Sequence, residues 1–500
     1  MSNNLYDVLA GSVTPDSDSV FLDVDGGPTV RFGEIDAATA QIRGVLAALG
    51  VEPGDRVVIQ VPKTAEAVLL YLACLKHGAI AIPLNTAYTP VEVGAFVDDA
   101  EPRVVVVAPE SLAAVGPLAP AATVLTLDEH GSGTLTDAVG SSEPITGTQV
   151  VAPGDTAVIL YTSGTTGRSK GAMLSHANLI ANARALHEYW EFEPDDVLLH
   201  ALPIFHAHGL FVALHLALLN GSRTHFLPAF DLDRIVELLA DSTVFMGVPT
   251  FYTRLLDRTD VNIDSCANLR LVISGSAPLL AATWQEFRDR TGLRILERYG
   301  MTEAGMICSN PYHGKRVPGT VGFPLPGMDA RVVGDDGAEL PRGAVGSLEI
   351  TGPNVFGGYW RMPERTAEEF RPDGYFITGD LAEMDDEGRV TLVGRGKDLV
   401  ISGGFNIYPK EIELAIDALD GVDESAVIGV AHRDFGEGLT AVVVVDGTRD
   451  LDEAAVLSGL GDLARFKQPK RVFFVGELPR NTMGKVQKNL LRDQFADTYG

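Results

Sequence analysis

Tyr161-Thr-Ser-Gly-Thr-Thr-Gly-Arg-Ser-Lys-Gly171 closes an apolar run, residues 157–162, that reads as a buried strand. Two glycine turns, each preceded by two hydroxyl residues, lead to Lys170. Glycine lets backbone N–H groups come close to an anion, hydroxyls add donors and a lysine adds charge. Thr162, Ser163, Gly164, Thr165, Thr166, Gly167 and Lys170 together therefore read as a cradle for a polyphosphate. The pattern GxxxxGK[ST] does not fit, because Ser169 precedes the lysine and Gly171 follows it, which disfavours a P-loop kinase or ATPase.

Around this loop, short apolar strands alternate with helical patterns. Strands are predicted over 56–61, 103–108, 157–162 and 269–274. Helices are predicted over 64–77 (ended by Gly78), from about His176, and from Pro278. Such alternation predicts parallel βαβ sheets covered by helices. The polar stretch 130–149 reads as a loop or weak boundary. After about residue 320 short strands separated by Gly, Pro and Asp predict a β-rich subdomain. The last hundred residues predict a separate α+β unit, with helices over 409–419 and near 451–464 and strands over 425–430, 441–445 and 471–475. The expected organisation is thus α/β: a large domain over 1–394 and a small mobile domain over 398–500, with a hinge near Lys397.

A chain of 500 residues, 46% hydrophobic, exceeds one ordinary core and can bury a large one. Its net charge of −28 argues against nucleic-acid and anionic-membrane partners, so any polyphosphate must meet local cations. The stretch 465–492 offers eight cations, among them Lys485, against the single acid Glu477. Three scattered cysteines suggest neither a disulfide framework nor a thiolate metal site, and the start of the chain lacks a signal pattern. A soluble, cytoplasmic protein is expected.

Further segments follow the loop in order: Ser274-Gly-Ser-Ala-Pro278, Arg298-Tyr-Gly-Met-Thr-Glu303, Tyr375-Phe-Ile-Thr-Gly-Asp-Leu381, Gly394-Arg-Gly-Lys-Asp398, Ser402-Gly-Gly-Phe-Asn406 and Pro479-Arg-Asn-Thr-Met-Gly-Lys485. With the phosphate loop they resemble the adenylate-forming superfamily: acyl-CoA synthetases, adenylation domains of peptide synthetases, and luciferases. The resemblance implies ATP, Mg²⁺ and coenzyme A. It makes Thr302 a partner of the α-phosphate and Glu303 the Mg²⁺ ligand, in keeping with the preference of Mg²⁺ for few protein oxygens. It lines the nucleotide site with Ser276, Ala277, Glu297, Tyr299, Gly300 and Met301, and gives the ribose to Asp380 and Arg395. Lys485 becomes the catalytic lysine that bridges carboxylate and α-phosphate. Lys397 becomes the hinge, and Gly403 and Gly404 line the path of the CoA arm. Related ligases also make Lys485 a target for an acetyltransferase. Monomer and dimer both stay open.

The acid is read from fewer residues. Arg298 borders the acyl pocket in the family and could grip a second carboxylate bidentately; its alternative is an ion pair with Glu297 or another acid. Phe205-His-Ala-His-Gly-Leu210 places His206 and Ala207 at the meeting point of acid and thiol, and two histidines two residues apart make a poor metal site. With Ser169 and the run 296–303, the resemblance narrows to malonyl-CoA synthetases, with Ser276, Ala277 and Met306 in the pocket wall. A small dicarboxylate, malonate and then methylmalonate, is the expected acid. A ligase for another short or aromatic acid, or an adenylation enzyme loading a carrier protein, remains the alternative.

Overall fold

The structure, a computed structural model, describes residues 2–11, 17–162, 169–402, 405–432, 435–461, 463, 465–481 and 484–499. It divides into two compact units, Met1–Asp329 with Thr351–Gly374, and Ala330–Ile350 with Tyr375–Gly500.

The first unit contains two sheets. In one, strands Thr123–Thr126, Val104–Val107, Arg56–Gln60, Ile80–Pro83 and Thr156–Thr162 lie side by side in parallel, and Lys170–Ser175 closes the edge antiparallel to Thr156–Thr162. The four valines of Val104–Val107 are all buried, as a strand covered on both faces requires. The second sheet has nine strands. Its parallel centre runs Leu296–Met301, Leu271–Ser274, Val244–Gly247, Val197–His200, Arg223–Phe226 and Val20–Val24, with antiparallel strands at both edges. The predicted parallel α/β architecture is therefore present.

Local chemistry sets the helix ends. Ala65–His77 begins where the Thr64 side chain accepts the Ala67 N–H, and ends at Gly78 with φ of 76°. His176–Tyr189 starts with a reciprocal cap between Ser175 and Asn178. The stretch 130–149 is no boundary. It holds a short helix, Thr134–Val139, and is tied down where Arg43 donates to the Gly147 carbonyl at 2.7 Å and the Gln149 N–H to Lys76 at 2.9 Å. Its polar side chains face outward while its backbone is held by the neighbouring helices.

In the second unit, Asp329–Val333, Gly346–Thr351, Phe376–Met384 and Val390–Arg395 make a four-stranded sheet. A further sheet pairs Val422–His432 with Gly436–Val445 and carries Arg471–Phe474, Val400–Ser402 and Phe405–Ile407. Helices Pro409–Asp417 and Glu453–Gly459 bury Ile412, Ile416 and Val456 against it. Among the described residues, no helix is long and apolar enough to cross a membrane.

One buried cation braces the first unit. Lys76, with no exposed side chain, donates to Asp36 Oδ1 at 2.6 Å and to Thr39 Oγ1 at 3.3 Å. The cost of burial falls on Lys76, because the Asp36 side chain is 58% exposed. Removing that acid leaves the buried ammonium uncompensated. Asp36→Ala should therefore lower the unfolding free energy by roughly 3 kcal/mol, seen as an earlier urea midpoint; an unchanged midpoint would contradict this brace.

Candidate active site

Four segments of the first unit bring its chemistry together. The phosphate-loop hairpin sets Thr162 opposite Lys170 in register. Ser163, Gly164, Thr165, Thr166 and Gly167 lie outside the described residues, as do Gly403 and Gly404 of the second unit. Lys170 Nζ donates to Glu369 Oε1 at 2.9 Å and to the Tyr359 hydroxyl at 3.0 Å, and lies 4.1 Å from the centre of the Tyr359 ring. The same hydroxyl lies 2.6 Å from Glu369 Oε2 and 2.9 Å from Glu303 Oε1. Burial, reinforced by the two acids, pushes the Tyr359 phenol well above its ordinary value. Burial also pushes the Glu303 carboxyl upward. A carboxylate stripped of water, beside a hydroxyl and a lysine, fits a hard divalent cation that brings phosphate oxygens with it. Among the described residues no group of three or more acidic, His or Cys side chains forms a protein-only metal cage.

Glu303 sits in the tight hairpin between Leu296–Met301 and Gly305–Ser309, next to Thr302. Two glycines make this turn fit. A Cβ on Gly300 would lie 2.3 Å from the Gly305 carbonyl, and one on Gly305, where φ is 58°, would lie 2.7 Å from Asn182 Oδ1. Asn182 holds the far side by donating to the Met306 carbonyl at 3.2 Å, and Asn354 donates to the same oxygen at 3.0 Å. Tyr299 and Met306 are buried here, while Met301 and Thr302 are half-buried.

Arg298 and Glu297 are neighbours on one strand and so point to opposite faces. Glu297 Oε1 accepts the Gly319 N–H at 2.9 Å, and burial pushes its carboxyl up to about 8. Arg298 is 5% exposed and pairs with no acid among the described residues; its Nε and Nη2 have no hydrogen-bond partner. The ion pair with Glu297 is thereby excluded. Burial draws the guanidinium down to about 9, so it remains a cation at neutral pH. It fits because Gly275 has no side chain: a Cβ there would stand 2.2 Å from the guanidinium carbon.

The next residue, Ser276, has φ of 71°, a costly conformation for a non-glycine. Its hydroxyl lies 3.3 Å from Nδ1 of His208, whose Nε2 is buried without a partner. Burial, then the nearby charge of Arg298, keeps His208 neutral. His208 opens a π-helical stretch, His208–Leu214, and follows the buried Ala207 and half-buried His206. A buried cation and a neutral imidazole, both with unused polar atoms, make a pocket ready for an anionic oxygen pair.

The second unit holds the remaining expected residues. Asp380 and Arg395 face each other across a strand pair, with Arg395 Nε 2.7 Å from Asp380 Oδ1. Lys485 is exposed at the end of a turn in which its N–H donates to Asn481 Oδ1 at 3.0 Å and its carbonyl accepts the Asn481 N–H at 2.9 Å. The basic stretch around it is largely paired: Lys467 with Glu411, Arg471 with Glu453, Arg480 with Glu424, Lys488 with Glu413 and Arg492 with Asp398.

Profiles of known families agree with this site. The profile described as AMP-binding enzyme matches residues 10–360, and that of the AMP-binding enzyme C-terminal domain matches residues 411–485. The chain belongs to the AMP-binding enzyme family. It is similar to the ATP-bound MatB of Rhodopseudomonas palustris, with 54% identity over 100% of both chains and a TM-score of 0.98. It is 38% identical to a malonate–CoA ligase of Arabidopsis thaliana over 68% of this chain, and spans only 60% of that relative's length. It is 36% identical to a feruloyl-CoA synthase of an Amycolatopsis species over 94% of this chain and 95% of the relative.

Tyr359, Glu369, Asn182 and His208 escaped the sequence reading. Only His208 carried a signal, the paired histidines; the others act through contacts between segments far apart in sequence.

Two outcomes follow from this geometry. Gly275→Ala should displace the guanidinium, seen as a moved Arg298 side chain in a crystal structure of the variant, while leaving the fold intact by circular dichroism. Glu297 holds a proton in the folded state between about pH 5 and pH 8 that the unfolded chain releases, so its contribution to stability falls as pH rises through that window. Glu297→Gln removes this dependence, and its melting temperature should gain on the parent's from pH 5 to pH 8; parallel curves would refute the shift.

Proposed function

We propose that this chain is an ATP-dependent ligase that activates malonate, with methylmalonate as a second substrate, and passes the acyl group to coenzyme A. The buried, acid-free guanidinium of Arg298 carries this reading. A second carboxylate on the substrate would supply the two acceptors that Nε and Nη2 lack. A monocarboxylate would leave them dry and unpaired, a penalty that such sites turn into selectivity. The relative named as a malonate–CoA ligase supports this choice. The relative named as a feruloyl-CoA synthase is why the acid rests on the pocket and not on likeness.

In the first half-reaction a carboxylate oxygen of malonate attacks the α-phosphorus of ATP and pyrophosphate leaves. In the second, the CoA sulfur attacks the acyl carbonyl, AMP leaves, and the thioester forms. Arg298, with Ser276 and His208, holds the far carboxylate, so that the near one is presented to phosphorus without rotating. His206, Ala207 and Met306 wall the acyl site. Lys170 and the hydroxyls of the phosphate loop hold the polyphosphate, with Thr302 on the α-phosphate. Mg²⁺, bound through Glu303, would neutralise phosphate charge. Asp380 accepts from the ribose hydroxyls, with Arg395 fixing its orientation. Lys485 brings positive charge to the α-phosphate as negative charge builds there. For the second half-reaction Lys397 is the hinge about which the small domain (398–500) turns, bringing Gly403 and Gly404 to the CoA arm. Acetylation of Lys485 would remove that charge and stop the first step. The free, buried Cys74, Cys266 and Cys308 suit a reducing cytoplasm.

Pyrophosphate release across malonate, methylmalonate, succinate, acetate, benzoate and ferulate tests the reading. Malonate should lead, and a preference for acetate or an aromatic acid would overturn it; activity with a phosphopantetheinylated carrier but none with CoA would favour carrier loading. Arg298→Met should cost malonate at least about 100-fold in kcat/KM and cost acetate little. The same variant, freed of a dry charge, should melt higher than the parent without ligand and lose its malonate-induced shift. Lys485→Ala should bind ATP as the parent does but slow adenylation by about 100-fold or more.

A further inference from the structure

Lys63 lies in the turn between strand Arg56–Gln60 and helix Ala65–His77, half-buried and with no carboxylate partner among the described residues. It donates instead to Nδ1 of His200 at 2.8 Å, to the His200 carbonyl at 3.0 Å and to the Leu227 carbonyl at 2.6 Å. Three acceptors match the three protons of an ammonium. The group also lies 4.2 Å from the centre of the Phe226 ring. Burial pulls the amine well below its ordinary range, against which these four contacts work.

His200 ends the strand Val197–His200, and its Nε2 stands 2.9 Å from the Gly209 carbonyl. A carbonyl can only accept, so Nε2 must carry the proton. Burial, then the charge of Lys63, keeps His200 neutral, so its Nδ1 is a bare acceptor facing the ammonium. Gly209 follows His208 within the π-helical stretch, where a Cβ would fall 2.1 Å from the Pro203 carbonyl. The turn that carries His206 and His208 is therefore pressed against Pro203 on one side and moored to His200 on the other. None of these four bonds involves Lys170, Tyr359 or Glu303.

We infer that Lys63 is a positioning residue for the acid pocket: by donating to His200 Nδ1 it fixes the Nε2–H tautomer, which moors Gly209 and holds His208 against Ser276 beside Arg298. This rests on the acid pocket proposed above, and it makes selectivity for a diacid depend on a lysine that never meets the substrate.

The tautomer is read first, on the whole wild-type chain without substrate. In ¹⁵N-histidine NMR, the resonances lost in His200→Gln should be those of an imidazole protonated at Nε2 and bare at Nδ1. A proton on Nδ1 would overturn the inference. Lys63→Met then keeps apolar bulk and removes the donors. Its malonate-to-acetate ratio of kcat/KM should fall at least about fivefold, with the KM for ATP within about twofold of the parent. Lys63→Arg should bring the ratio back to within about threefold of the parent. An equal loss for both acids, or no recovery with arginine, would reduce Lys63 to a structural brace. A wild-type enzyme that ignores malonate would sink the substrate assignment while leaving the tautomer result standing.

Discussion

A guanidinium buried without an acid is the constraint around which the first unit is arranged. Charge in a dry interior is tolerated only with compensation, and among the described residues no acid pairs with Arg298, whose Nε and Nη2 have no hydrogen-bond partner. Several costly features make sense beside it. Gly275 yields the space for its planar group, Ser276 accepts a left-handed backbone, and His208 is kept neutral by burial and then by the cation beside it. In the proposed function the partner of this cation is a substrate carboxylate, with two oxygens and one charge, within reach of a ring nitrogen and a hydroxyl.

The nucleotide side is organised in the opposite way. Lys170 is paired with Glu369 and supported by Tyr359, whose hydroxyl also meets Glu303. One hydroxyl proton cannot serve two carboxylates at once, so this cluster shares protons among its members. Its cation is held in place before any phosphate arrives, whereas the cation of the acid pocket waits uncompensated. In the proposed function, nucleotide and acid thus meet different kinds of site, one whose cation is already paired and one whose cation is not.

How far the sequence could be read depended on the range of the interactions. Alternation of strand and helix patterns and the Gly78 stop are local, and they marked the parallel sheets and that helix end well. The loop from Tyr161 to Gly171 and the Arg298–Glu303 run were legible for the same reason: each is a short segment whose own chemistry is unusual. The 130–149 stretch misled because outward-facing polar side chains resemble a linker, while the bonds that hold it come from Arg43 and Lys76, far earlier in the sequence. Tyr359, Glu369 and Asn182 could not be found by pattern at all, since nothing near them in sequence distinguishes a surface tyrosine, glutamate or asparagine from one in a site. Whether Arg298 paired with Glu297 was settled by strand geometry, which sends adjacent side chains to opposite faces.

The seven residues His208–Leu214 wind with a wider turn than an ordinary helix. Each residue of a regular helix advances the chain by about 100°, so a π turn is in effect a helix carrying one residue too many for its length. Deleting a single apolar residue from its far end would let the segment tighten into the regular form and swing everything before it through that angle. The imidazole beside Ser276 would then face elsewhere, with every side chain of the pocket still present in the sequence. A one-residue change in length here is thus a route by which relatives sharing all the recognisable motifs could come to accept different acids.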